Sequence, residues 1–261
     1  MKQVRGPESE IRRLAQEKER FKSLLHAVIH LGAALLAEEN FDRLLETIVV
    51  EAMSFCNADA GSLYLRNSDD TLSFVIMRCH SLHLAKGGTT GEKIPFSPLP
   101  MYDPATGGAN RYNVVSQAAL SGMAINVADA YDAPGFDFSG TRAFDRVTGY
   151  RSTSFLTVPL VDRSRRVIGV LQLINALCPE TGRIIPFDHD MESILGSLAS
   201  LAAGALETYI RERDLRQQVA ALRIEIDQNR KVREVAEITE TDYFRNLQEK
   251  ARGLRRAASG G

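Results

Sequence analysis

Hydrophobic positions along the chain change period several times, and each change marks a boundary. Over residues 9–39, Ile11, Leu14, Phe21, Leu25, Val28 and Leu35 recur at three- and four-residue spacing between charges. That stripe predicts an amphipathic, coiled-coil-type helix, with Ser9 as its N-cap. Asn40 then caps a second helix over Phe41–Phe55, whose inward stripe is Leu44, Leu45, Ile48 and Val49. Period two follows, with strands over 61–66 and 72–77 joined by a polar turn at 67–70. A second hairpin runs from Phe155 through the polar turn at 162–166. In its second strand Val167, Gly169, Leu171 and Leu173 alternate with Ile168, Val170, Gln172 and Ile174.

Two long stretches have no period. Residues 86–110 are rich in Gly and Pro, and a loop of that length in a compact domain is functional or mobile. Residues 129–148 are rich in Asp, Gly, Ser, Thr and aromatics, the composition of a pocket-covering loop with a short helix. Its aromatics Tyr131, Phe136 and Phe144 are candidates to plug the domain. From about Asp188 onward Ile194, Leu198, Leu201, Ala205, Leu215, Val219, Leu222 and Ile226 fit one heptad frame, with Thr208 and Glu212 as weaker members. A single helix continuing into a coiled coil accounts for it. Asn229 falls at a core position of the same frame, where a polar residue fixes register. After Ile238 a short amphipathic helix restarts around Phe244, Leu247, Ala251 and Leu254. The expected organisation is therefore 1–39 helix, 40–210 globular domain, 211–238 coiled coil, and 239–261 short helix and tail.

Composition narrows the function classes. The chain has 261 residues, 44% hydrophobic and 25% charged, with 32 Lys and Arg against 33 Asp and Glu. So balanced a charge gives no field favouring nucleic acid or an anionic membrane. No apolar run reads as long enough to span a bilayer, and the first twenty residues are charged, so a cytoplasmic location without membrane contact is expected. The cysteines Cys56, Cys79 and Cys178 are odd in number and without paired spacing, which argues against a disulfide framework. Cys79, His80 and His83 lie close in sequence, but no second ligand cluster completes a four-coordinate metal site.

The runs DAYDAPGFD, FDRVTGYRSTSFLTVPL and VIGVLQLINA, between Asp129 and Ala176, resemble GAF domains, in particular those of cyclic-nucleotide phosphodiesterases and bacterial cyclases. The resemblance covers roughly 41–209. It implies an α+β fold with a central antiparallel sheet of about six strands, terminal helices packed on one face and a ligand pocket on the other. Carried over by motif, the implied ligand contacts are Ser62, Met77, Arg78, Val114, Val115, Thr141, Asp145, Thr148, Ser152 and Gln172. Hydroxyls, Asp145 and Gln172 would read the edge of a purine, and Arg78 would supply charge for an anionic ligand. Each has a plainer reading as well. Thr148 and Asp145 serve equally as turn and cap residues, and Val114, Val115 and Met77 as core. Of the family's NKFDE motif Asn175, Phe187 and Glu192 match, while Ala176 and Met191 replace the Lys and Asp that form an internal ion pair in relatives. Losing both partners together avoids an unpaired buried charge.

The resemblance implies a non-catalytic sensory module that binds a small regulatory ligand, best named as a cyclic nucleotide. It would need no cofactor or metal, would dimerise through its terminal helices and would signal to an effector protein. Two other readings stand beside it: a constitutive docking module with a vestigial pocket, and an enzyme of the free methionine sulfoxide reductase type working through cysteines.

Overall fold

The computed structural model describes residues 40–239 and, outside that range, Gly32, Glu38, Lys250 and Ala251. The helix expected over 9–39, the side chain of Asn229 and the helix expected after Ile238 fall outside the described set, apart from those isolated residues. By its contacts the chain divides into two units, Met1–Tyr209 and Ile210–Gly261.

Helix α1 spans Phe41–Phe55, and the Asn40 side chain accepts a hydrogen bond from the Arg43 N–H, satisfying one orphan amide of the first turn. Leu44, Leu45, Ile48 and Val49 are buried as their spacing predicted. The strands are β1 (Ala58–Arg66), β2 (Thr71–Cys79), β3 (Leu84–Gly87), β4 (Leu99–Pro100), β5 (Ile125–Val127), β6 (Phe155–Val161), β7 (Val167–Leu177) and β8 (Ile184–Ile185). All pair antiparallel, in the order β3-β2-β1-β7-β6-β5, with β4 added to β2 and β8 to β7. The remaining helices are α2 (Val114–Ser121), α3 (Ser139–Thr148) and α4 (His189–Thr239).

The sheet has a different core on each face. Leu63, Leu156, Leu171 and Leu173 pack with α1 and with Leu195, Leu198, Ala202 and Leu206 of α4. Tyr64, Leu72, Phe155 and Val170 pack on the other side with α2 and the 129–138 segment. α1 comes so close to β1 that a Cβ on Gly61 would lie 2.9 Å from Met53 Cγ and from Val49 Cγ1. The first face is therefore shut tightly by helix.

Two β-bulges break the simple alternation. In β2 the register passes from Leu63↔Ile76 to Tyr64↔Phe74, leaving Val75 as an extra residue. Leu72 and Phe74 thus face one core, while Ile76 turns to the other. In β7 the extra residue is Ile168, because Leu160 pairs with Gly169 and Val161 with Val167. Val167 consequently joins the same face as Val170 and does not follow Leu171 as unbroken alternation predicted.

One expectation about membranes needs correction. The stretch His189–Glu212 is long and apolar enough to cross a bilayer by length and composition, with a mean hydropathy of 1.3. Its apolarity has a local use, since Met191, Leu195, Leu198, Ala199, Ala202, Ala203 and Leu206 are buried against the sheet. Beyond Tyr209, Leu215, Val219, Leu222 and Ile226 of the heptad frame are exposed.

Candidate functional site

On the sheet face away from α1 and α4 lies a cavity of about 390 Å³, within the range of small-molecule sites. Its floor is set by strand register. Ser62 lies opposite both Met77 and Gln172, and Gln172 lies opposite Thr157, so four side chains from four strands form one row. Gln172 is held at both ends of its amide: Oε1 accepts from the Tyr64 hydroxyl at 3.2 Å and Nε2 donates to Thr157 Oγ1 at 3.1 Å. The Ser62 hydroxyl is different. The residue is 4% exposed, and its side chain has no hydrogen-bond partner among the described residues.

An aromatic ladder makes the side wall. Tyr64 and Phe74 have centroids 4.2 Å apart, Phe74 and Phe96 5.3 Å, and Phe96 and Phe144 6.5 Å, which carries the wall from the sheet to α3. Val114 and Val115 close the cavity from the start of α2, and Thr141 from the first turn of α3. At the far end stand Tyr150 and Cys79, backed by the buried Asp59. The Tyr150 hydroxyl donates to Asp59 Oδ2 at 2.6 Å, Ser81 Oγ donates to Oδ1 at 2.7 Å, and the Cys79 thiol lies 3.6 Å from Oδ2. Burial first, and then the hydrogen bond to Asp59, push the Tyr150 pKa far above its ordinary value. Burial likewise raises the Cys79 thiol.

The lid is tied down by Asp145. This buried carboxylate accepts the Tyr131 hydroxyl at 2.8 Å, the Ser152 N–H at 2.8 Å and the Ser152 hydroxyl at 2.7 Å. Arg151 stacks on the Tyr131 ring, 4.0 Å from its centroid. Asn175, with φ of 58°, extends the same fastening: Oδ1 accepts the Thr153 N–H at 2.7 Å and Nδ2 donates to the Arg151 carbonyl at 2.8 Å. Phe187 is buried in the helix-side core. Glu192 accepts from Asn126 at 3.4 Å. Ala176 and Met191 are both buried in that apolar core, where relatives would carry the ion pair.

Of the residues expected at the ligand, Ser62, Met77, Val114, Val115, Thr141, Ser152 and Gln172 line the cavity. Three expectations need correction. Asp145 lies outside the lining, because its oxygens are occupied by Tyr131 and Ser152; the Ser152 hydroxyl is committed in return. Thr148 is also outside, its hydroxyl donating to the Phe144 carbonyl at 2.9 Å just before the left-handed Gly149 that ends α3. Arg78 borders the cavity, but it pairs with Gly61 on the helix-facing side. Its guanidinium is bound by Glu46 of α1 and by the carbonyls of Met77, Lys86 and Gly87. Adjacent strand residues point to opposite faces, and here Met77 takes the cavity side while the Arg78 guanidinium is held by Glu46.

Sequence reasoning missed Tyr64, Phe74, Phe96, Phe138, Tyr150, Phe155, Asn113 and Asp137, all of which line the cavity. Asn113 and Asp137 carried a readable signal as Asx residues just ahead of helices. Phe96, within the expected 86–110 loop, carried none.

A family profile for the GAF domain matches residues 40–206, well over half the chain, and the chain belongs to the GAF domain family. Among solved structures it is similar to the GAF domain of an Acinetobacter phosphoenolpyruvate-protein phosphotransferase, at 16% identity and a TM-score of 0.52, covering 74% of this chain and 98% of that one. The corresponding domain from Coxiella burnetii gives 16% identity and 0.52, covering 73% and 96%. The free methionine-R-sulfoxide reductase of Neisseria meningitidis, solved with its substrate, gives 16% and 0.51, covering 72% and 91%. At these identities the likeness concerns the fold. GAF domains are in general small-ligand sensing modules of signalling proteins.

Proposed function

We propose that this chain is a non-catalytic, homodimeric, cytoplasmic sensory module that binds a small ligand with a planar heteroaromatic ring and passes its occupancy through α4 to an effector protein. The observation that carries the reading is the cavity itself. It has an aromatic wall for a ring face, and a floor with an unpartnered Ser62 hydroxyl and a fixed Gln172 amide for its edge. Purine ligands fit that pattern, and cyclic AMP and cyclic GMP come first from the family resemblance. Dimerisation is supported by the exposed heptad residues Leu215, Val219, Leu222 and Ile226, which a second copy of the helix would cover. Signalling would be a shift between two packings of those helices, set by the ligand's differential affinity for each.

A reductase reading draws on Cys79 at the cavity and on the Neisseria enzyme's fold. It needs an accessible thiolate and a second thiol to close a disulfide. Cys79 donates its proton toward Asp59, whereas Cys56 lies in the helix-side core with its thiol pushed up to about 12 by burial and the nearby Asp188. The thiol of Cys178 contacts Glu180 at 2.9 Å. These environments favour the sensory reading.

Calorimetric titration of the full chain with cyclic AMP, cyclic GMP, cyclic dinucleotides and the parent nucleosides tests it, together with sedimentation at several concentrations. Saturable binding that Ser62→Ala weakens, in a dimer, supports the proposal. A dimer with no heat from any of them makes the docking-module reading the better one, and a concentration-independent monomer removes the proposed signalling route.

A further inference from the structure

The cavity has been built without a charge to receive an anion, and that absence is constructed from several independent contacts. Among the described residues lining it, Arg78 is the only cation, and its guanidinium is turned to Glu46 on the other side of the sheet. At the two helix N-termini beside the cavity the chain's own side chains take part of the donor set. At α2 the Asn113 side-chain oxygen accepts from the N–H groups of Val115 and Ser116, both at 3.0 Å, so these amides are closed to a phosphate. At α3 the Asp137 carboxylate accepts from the Ser139 N–H at 2.8 Å. That N–H holds the Asp137 carboxyl below its ordinary pKa, so a negative charge already sits where the helix dipole would attract one.

The far end repeats the same polarity. Tyr150 has given its hydroxyl proton to the hydrogen bond with Asp59, so its oxygen faces the cavity as an acceptor, and Tyr64 has done the same toward Gln172. The carboxylate of Asp59 lies directly behind. Ser62, buried in the floor, is free both to donate and to accept, as are the hydroxyls of Ser97 and Thr141 at the rim, none of them partnered among the described residues. A ligand that suits this set has ring or amino N–H groups for the acceptors, one acceptor for Ser62, and no negative charge.

Resting on the reading of the cavity as a site for a planar ring, we infer that the ligand is an uncharged purine-type base or nucleoside and that the site rejects the corresponding phosphate-bearing nucleotide. Discrimination comes from Asp137 and Asp59 as fixed repulsive charges and from the sequestration of Arg78, the element that keeps the wrong ligand out.

The test is calorimetry on the full chain with two matched pairs, adenosine against cyclic AMP and guanosine against cyclic GMP, at low and at physiological ionic strength. One nucleoside is expected to bind at least about tenfold more tightly than its cyclic nucleotide, with the gap narrowing as salt rises. Asp137→Asn keeps a side-chain oxygen to cap Ser139. It is expected to raise the cyclic nucleotide's affinity several-fold and to move the nucleoside's by much less, and Ser62→Ala to weaken the nucleoside about tenfold without moving the unfolding midpoint. Equal or tighter binding of the cyclic nucleotide overturns the inference while leaving the sensory reading intact. An Asp137→Asn effect equal on both members of a pair overturns the electrostatic account. Absence of binding by all four overturns the ring-site reading and this inference with it.

Discussion

Asp145 is the residue whose replacement separates a ligand contact from a lid fastening. Its carboxylate accepts three hydrogen bonds within 2.7–2.8 Å, two on Oδ2 from Tyr131 and the Ser152 N–H, and one on Oδ1 from the Ser152 hydroxyl. Hydrogen bonds to a charged group contribute about 1.5–3 kcal/mol each, and bonds sharing one acceptor do not add fully. Asp145→Ala should therefore cost the lid about 3–5 kcal/mol. Asp145→Asn should cost only about 1–2 kcal/mol: its oxygen keeps Tyr131 and the Ser152 N–H, while its NH₂ meets a Ser152 hydroxyl that can turn to accept. The assay is amide hydrogen exchange followed by mass spectrometry, with α1 as the internal standard. For Asp145→Ala, exchange across residues 139–152 should rise roughly 100- to 5,000-fold while α1 is unaffected, and for Asp145→Asn about tenfold. Unchanged lid exchange in the alanine variant would refute the fastening role. Equal loss in α1 would show that the lid and the sheet open as one unit.

Two further substitutions probe the packing that holds the site. Ala176→Lys puts an ammonium into the apolar core beneath β7 and should cost about 3–5 kcal/mol, part of which Met191→Asp should recover by supplying the partner. Denaturation midpoints of both single variants and the double read this directly, and strict additivity would rule out the pairing. Gly61→Ala should cost about 1–3 kcal/mol, because Val49 Cγ1 and Met53 Cγ at 2.9 Å force α1 off the sheet. A neutral midpoint there would mean that α1 is more loosely seated than its contacts indicate.

What the sequence made legible was governed by how many residues carried each signal. Helix α1 repeats its stripe over four turns behind an Asn cap, and the hairpin strands alternate over several positions, so both were readable from pattern alone. The bulges at Val75 and Ile168 each depend on a single apolar residue between apolar neighbours, and nothing in the period marks which one is extra. Asp145 and Ser152 were ambiguous for a different reason. A polar residue in a lid has the same composition whether it binds a ligand or its neighbour seven positions on, and only the closed geometry distinguishes them. Arg78 was decidable in principle, since a residue next to Met77 on a strand faces away from it, and the rule of alternation had simply to be applied to the pair.

The Val75 bulge connects these points into one account of how the site is made. Upstream of it β2 gives Phe74 to the aromatic wall, and downstream it gives Met77 and Cys79 to the floor and far end, although an unbroken strand would place an even and an odd residue on opposite faces. The same inversion sends Ile76 into the helix-side core and carries Arg78 to Glu46. A single extra residue thus supplies the cavity with apolar lining and removes its one cation in the same step. The shape of the site and its charge are therefore not independent traits: a register that restored Arg78 to the cavity would withdraw Met77 and Cys79 from it and expose Ile76 to the ligand side. An anion-binding version of this cavity would have to find its positive charge elsewhere than on this strand.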